Sequence, residues 1–264
     1  MKQDDLREFI GNVFNVFDAG SQIGAIYALA SIFRKEISEV TGVFPSLFIT
    51  GPAATGKTEI ARSLISFYDD PYRMISSRSQ TPKETDRMVT EWDKPLVHID
   101  DYVAGSKFNH LLSKWAQTAD CGILITTQEE MPVMDDKSVL SILPVYMKQR
   151  KYDLYSVENF RRLQEIRDKV IKINHGDMLL PRKLFDKFFA KTIVAMMELL
   201  SLTAVPEPAD PMIIRLWSII PATYIALSDW LYPIDFSKLQ IYCRAGIAYH
   251  DAILRNSREE GGEI

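Results

Sequence analysis

Residues 46–58 read SLFITGPAATGKT, a short apolar run that passes directly into Gly51-x-x-x-x-Gly56-Lys57-Thr58. A strand before that pattern and a helix after it make the sequence form of a phosphate-binding loop. Its glycines let backbone N–H groups face a polyphosphate, and the N-terminus of the following helix adds partial positive charge. Lys57 supplies a point charge for the β- and γ-phosphates, and Thr58 a hydroxyl ligand for Mg²⁺. Gly51, Pro52, Ala53, Ala54, Thr55, Gly56, Lys57, Thr58 and Glu59 are therefore the candidate nucleotide-binding residues. The competing reading, a Gly-rich strand–helix turn that binds nothing, accounts for the glycines but not for the fit of both flanks. The stretch predicts a site for ATP or GTP.

Outward from the loop, helix and strand patterns alternate. Residues 4–17 and 23–39 look helical, with Ala25, Leu29, Ile32, Phe33 and Ile37 at helical spacing and Gly20-Ser21 as the break between them. A helix is expected over 57–67, a short strand near 73–76, and a helix over 82–92 opened by Thr81-Pro82. Leu96–Asp101 and Gly122–Gln128 read as buried strands, 106–117 as helix, and Leu143–Met147 as one more strand. This order predicts a parallel, doubly wound α/β sheet. From Ser156 the signals are helical, over 156–173, 179–200, 211–231 and 236–255, with a kink or restart expected at Pro221. The expected organisation is an N-terminal helical pair (1–42), a three-layer P-loop NTPase core (43–155), an all-helical C-terminal region (156–256) and a flexible tail (257–264).

Composition excludes several classes. The 264 residues are 47% hydrophobic and 25% charged, ordinary for a globular protein with a sizeable core. A net charge of −4 carries no global nucleic-acid signature, so such contact needs a local patch or pore. Cys121 and Cys243 are the two cysteines, without CxxC spacing, which fits a reducing, cytoplasmic setting. His98, His110, His175 and His250 show no metal-ligand spacing, and no signal peptide is expected. The apolar run Met212–Leu231 contains Arg215, Pro221 and Asp229, too polar and broken for a membrane span.

In a nucleotide-binding sheet, ligands gather at the carboxyl ends of the strands. Asp100 and Asp101 lie at such an end, about forty residues beyond Lys57. We assign Asp100 to Mg²⁺ and Asp101 to the general base or water-positioning role. The bland reading is a pair of acids capping the next helix. Thr126, Thr127 and Gln128 end the next strand, where a polar side chain can sense the γ-phosphate or orient water, with Thr127 and Gln128 the better candidates. The alternative is a turn satisfying its own backbone. The acidic strand is expected between the phosphate-loop strand and the Thr-Thr-Gln strand, an order associated with ATPase motors rather than small-molecule kinases.

These elements resemble the P-loop helicase domains of phage-, plasmid- and integrated-element primase–helicases over most of the chain. The matching residues are Phe44-Pro45 before the loop, Ser79-Gln80-Thr81, and Lys94-Pro95 leading to Asp100-Asp101-Tyr102. Ile125–Pro132 with Asp135-Asp136, and a helical tail in which Arg215 opens an apolar helix, continue the likeness. The loop alone is highly specific. Two positions depart from the group. Asp101 stands where it has Glu, although Asp–Asp pairs are also similar to initiator and helicase-loader ATPases. Ile142 stands where it tends to place Arg, which leaves Arg150 as a candidate for completing a neighbour's site, against the reading of Lys148–Lys151 as a solvated basic loop.

The resemblance implies an ATP- and Mg²⁺-dependent enzyme, a DNA helicase or translocase in replication of a virus or mobile element, working as a homo-oligomer. A primase or other replication protein is the implied partner, and the chain is read as either a stand-alone protein or an excised domain. Basic residues outnumber acidic ones about two to one between Lys148 and Lys191, including Arg161-Arg162, Arg167, Lys169, Lys172, Arg182-Lys183 and Lys187. This excess suits single-stranded DNA, and equally an exposed charged helix face. The alternative function is a nucleotide-switched loader or adaptor with little turnover. A small-molecule kinase is a third reading, without an identifiable substrate pocket.

Overall fold

The computed structural model describes residues 19–102, 106–128, 134–148, 182–201, 209–228 and 234–261, with isolated positions besides. Five parallel strands form one sheet in the order β2-β3-β4-β1-β5, with β1 Ser46–Thr50, β2 Ile75–Ser76, β3 Leu96–Asp100, β4 Gly122–Thr126 and β5 Ile142–Tyr146. β1, β4 and most of β3 are buried, so their runs are mainly apolar rather than alternating. Phe48 lies between Ile125 of β4 and Pro144 of β5. Pro144 donates no ladder hydrogen bond, which an edge strand tolerates. β4, not the acidic β3, separates the other two strands of the site. The expected order is thus reversed, and Thr126 comes to lie between the loop strand and Asp100.

Helix α1 (Ala19–Ala30) runs through Gly20-Ser21, so the expected break is not there. The irregularity comes later, as a 3₁₀ turn at Ser31–Phe33 before α2 (Arg34–Thr41). Residues 25–33 are buried on every side, beneath the sheet and the C-terminal helices. Buried Tyr27 ties α1 to the sheet, its hydroxyl donating to Pro45 O at 2.8 Å and accepting from Ile123 N at 3.0 Å. Among the described residues, buried Arg34 has no carboxylate hydrogen-bond partner. It donates instead to the carbonyls of Trp115 (2.7 Å), Ala116 (3.2 Å), Phe44 (3.3 Å) and Ala119, stacking on the Phe44 ring. The cation thereby satisfies the orphan carbonyls, and opposes the negative end, of α5 (Ser106–Thr118).

Helix α3 (Lys57–Ile65) follows the phosphate loop, and α4 (Pro82–Thr90) begins with a capping box between Thr81 and Glu84. After a short α6 (Asp136–Val139), the C-terminal helices are α7 (Arg182–Ser201), α8 (Pro211–Ala226) and α9 (Phe236–Gly261). α8 passes through Pro221 without restarting, because burial of this apolar helix against α1, α7 and α9 outweighs one missing backbone bond. α9 continues through Ser257–Gly261, which the sequence assigns to a tail. Arg258 reaches Asp136 of α6 at 2.8 Å, tying this last stretch to the core, while Arg255 pairs along α9 itself with Asp251 at 2.8 Å. Among the described residues no helix is long and apolar enough to cross a membrane.

Candidate nucleotide site

The loop backbone takes the conformations its sequence requires. Gly51 has φ 140°, and a Cβ there would lie 2.2 Å from Met147 O, so only glycine lets β5 close on the loop. Gly56 (φ 86°) caps α3 in the left-handed region, and Ala54 (φ 59°) turns the same way without glycine's freedom. These turns fold the loop around Lys57. Its Nζ donates to Pro52 O (2.6 Å), Gly51 O (2.7 Å) and Thr55 Oγ1 (3.1 Å). Burial lowers the Lys57 pKa, while the charges of Asp100 and Asp101 oppose that shift.

A cavity of about 200 Å³ opens over the loop. It is lined by residues 53–59, by Asp100 and Asp101, and by Thr126, Thr127 and Gln128. The structure thus gathers the predicted acids and polar strand end around the predicted loop, at the carboxyl ends of β1, β3 and β4. Gly51 and Pro52 contribute through the carbonyls that hold Lys57. Glu59 pairs with Arg62 at 2.7 Å on the first turn of α3.

The two acids differ in setting. Asp100, largely buried, accepts from Thr126 Oγ1 at 2.6 Å, with Thr58 Oγ1 at 3.4 Å from the same Oδ1. A threonine hydroxyl and a carboxylate side by side at a phosphate loop are hard oxygen donors, which suits Mg²⁺ completed by phosphate and water. Asp101 has φ 51°, unusual for a side-chain-bearing residue, and its carbonyl accepts from Ser77 Oγ at 2.5 Å. Its half-exposed carboxylate faces Arg78 Nε at 3.5 Å. Thr127 Oγ1 donates to Tyr102 O at 2.8 Å, holding the chain beyond β3 to the end of β4, and Gln128 is exposed at the cavity edge.

One strand-end candidate ranked below its neighbours, and one residue given no role in the site by the sequence, also contribute. Thr126 touches Asp100 directly, and His98 Nε2 lies 2.9 Å from Thr126 Oγ1. His98 is completely buried, and burial pushes its pKa down to about 4, with Asp100 opposing. The only sequence signal for it was its place two residues before Asp100, on the same face of the strand.

Other candidates lie elsewhere. Ile142 begins β5, fully buried beside Ser46 at the amino end of the sheet, so an arginine there would enter the core. Arg150 and most of the basic stretch fall outside the described residues. Arg161 pairs with Glu158 at 3.1 Å, and Arg215 is exposed on α8 away from the cavity lining. Beside Met147, which donates from its backbone N–H to Thr50 O at 2.8 Å, a second cavity of about 530 Å³ opens. Its walls include Ile23, Tyr146, Lys148, Trp217, Tyr242 and Tyr249.

Known proteins share the fold rather than the sequence. No family model matches the chain, and no curated protein matches it. A solved structure described as SCCmec type IV Cch, active helicase, superposes with a TM-score of 0.68 over 97% of this chain at 15% identity. The chain spans about half, 52%, of that helicase chain. The fold is therefore a helicase-like P-loop α/β fold, a five-stranded parallel core with helical regions at both ends.

Proposed function

We propose that this chain binds ATP with Mg²⁺ and hydrolyses it, acting as an oligomeric helicase or translocase on single-stranded DNA in replication of a virus or mobile element. The observation that carries the ATPase reading is the convergence of Lys57, Thr58, Asp100, Asp101, Thr127 and Gln128 on one cavity. Lys57 exchanges loop carbonyls for β- and γ-phosphate oxygens as nucleotide enters. Thr58 and Asp100 hold Mg²⁺, which neutralises phosphate charge when bound. Asp101 takes the proton of the attacking water, or orients that water, and Thr127 and Gln128 sense the γ-phosphate. The apolar cavity beside β5 receives the nucleobase, because Tyr146 and Lys148 flank Met147, whose backbone closes against Gly51. The helicase assignment rests on the likeness to the Cch fold and on the basic stretch of the sequence. A homo-oligomer is expected because the described residues lining the phosphate cavity include no arginine, leaving that charge for a neighbour to supply.

A second reading, a nucleotide-switched loader or adaptor, is favoured by the Arg78–Asp101 pair, which engages the proposed base. Steady-state ATP hydrolysis with and without single-stranded DNA, beside Lys57→Ala, separates the two. DNA-stimulated turnover that vanishes in Lys57→Ala supports the motor. Nucleotide binding without turnover, with DNA present, leaves the adaptor.

A further inference from the structure

Strand β3 is apolar at Leu96, Val97 and Ile99 and carries one buried polar side chain before Asp100, that of His98. Its Nδ1 is buried without a hydrogen-bond partner among the described residues. An isosteric apolar residue would spare the core that desolvated acceptor, so packing alone does not account for an imidazole here. The other ring nitrogen is engaged. Thr126 Oγ1 is 2.6 Å from Asp100 Oδ1 and 2.9 Å from His98 Nε2, while His98 and Asp100 are 3.7 Å apart. A carboxylate only accepts, so the single threonine proton goes to Asp100. The hydroxyl then accepts, and His98 Nε2 is the donor. The direction of the chain is fixed as His98 Nε2–H to Thr126 Oγ–H to Asp100 Oδ1.

We propose that His98, acting through Thr126, is a positioning residue that sets the orientation of the Asp100 carboxylate before a divalent cation arrives. The inference rests on the assignment of Asp100 to Mg²⁺. β4 makes the arrangement possible, since its place between β1 and β3 brings Thr126 beside both β3 side chains. His98 reaches neither nucleotide nor cation, and it is not among the residues lining the cavity. Its effect belongs to cation affinity, not to phosphate binding by the loop. Partners of this outer kind alter metal affinity by about 10–100-fold when removed.

The test measures equilibrium binding of a non-hydrolysable ATP analogue across a Mg²⁺ titration and in EDTA. Thr126→Val keeps the side-chain shape and removes the hydroxyl, whereas Thr126→Ser keeps the hydroxyl. His98→Leu removes the donor, and His98→Gln retains one. Thr126→Val and His98→Leu are expected to raise the half-saturating Mg²⁺ concentration about tenfold, and His98→Leu, which lies outside the cavity lining, to leave affinity in EDTA unchanged. The double variant is expected to shift no further than either single one, and Thr126→Ser and His98→Gln to stay near wild type. An unchanged Mg²⁺ requirement in folded Thr126→Val or folded His98→Leu, or a loss of affinity in EDTA for His98→Leu as large as that in Mg²⁺, overturns the proposal, and the Thr126→Val arm decides it even if His98→Leu fails to fold. Wild-type binding that ignores Mg²⁺ overturns the metal assignment itself, an outcome visible before any variant is compared.

Discussion

Lys57 carries three hydrogen bonds, to Gly51 O, Pro52 O and Thr55 Oγ1, that the proposed nucleotide would have to replace. The loop is therefore shaped around a cation, and phosphate oxygens compete for it with carbonyls already in place. Lys57→Ala is expected to weaken ATP binding at least about tenfold and to lower turnover by about 10²–10³-fold, read by calorimetry and phosphate release. Asp101→Asn removes the proposed base without removing a proposed phosphate ligand. Turnover falls about 10²–10⁴-fold while nucleotide affinity stays within about twofold, and a parallel loss of affinity argues against the base role. The residues of both predictions were legible in the sequence because a phosphate loop and a strand-end acid pair are contiguous patterns. His98 was not, since a lone histidine in an apolar strand has the signature of core. Its contact with Thr126 arises only from the adjacency of β3 and β4, which the order of residues along the chain does not state.

At the scale of elements, β5 links the two cavities. Pro144 confines it to the sheet edge, Met147 closes on the loop through its backbone, and Tyr146 faces the Tyr249 ring of α9 at 6.3 Å. If the apolar cavity takes a base, a wall residue on α9 acts on the nucleoside and not on the phosphates. Tyr249→Ala is expected to weaken ATP binding by about tenfold through lost stacking, and to leave competition by inorganic tripolyphosphate unchanged. Equal losses for both ligands would place the defect in the loop. From Ser46 to Tyr146 the strand and helix types followed from periodicity for every element but the four-residue α6, because the turns between them carry Gly, Pro or Asp. Gly20-Ser21 misled as punctuation, and Pro221 does not restart its helix. Both lie within helices whose burial supplies more than local propensity removes.

Across the whole molecule, the long C-terminal helix is bolted to the α/β core through a neutral histidine. His250 is buried on α9, with Trp217 Nε1 of α8 at 3.3 Å from Nδ1 and Val139 O of α6 at 2.8 Å from Nε2. Indole N–H only donates and carbonyl only accepts, so Nδ1 is bare and Nε2 is protonated. A second proton on Nδ1 would break the Trp217 bond and place a charge in the core. Burial accordingly lowers the His250 pKa from 6.5 to about 4, with Val139 O, Asp251 and Asp210 opposing. The unfolded chain takes up this proton first as pH falls. Its contribution to stability is complete above pH 6.5 and is lost progressively toward pH 4. Between pH 7 and pH 5 the loss is about 2 kcal/mol for His250 alone. His250→Gln keeps a donor and an acceptor but does not titrate. Urea unfolding of this variant is expected to show a pH 7-to-5 stability difference smaller than wild type by about that amount, whatever its stability at pH 7. An undiminished difference would mean that the proton is taken up elsewhere. The histidine joining α9 to α8 and α6 would then be a packing contact, and acid would not loosen the C-terminal helices from the core through it.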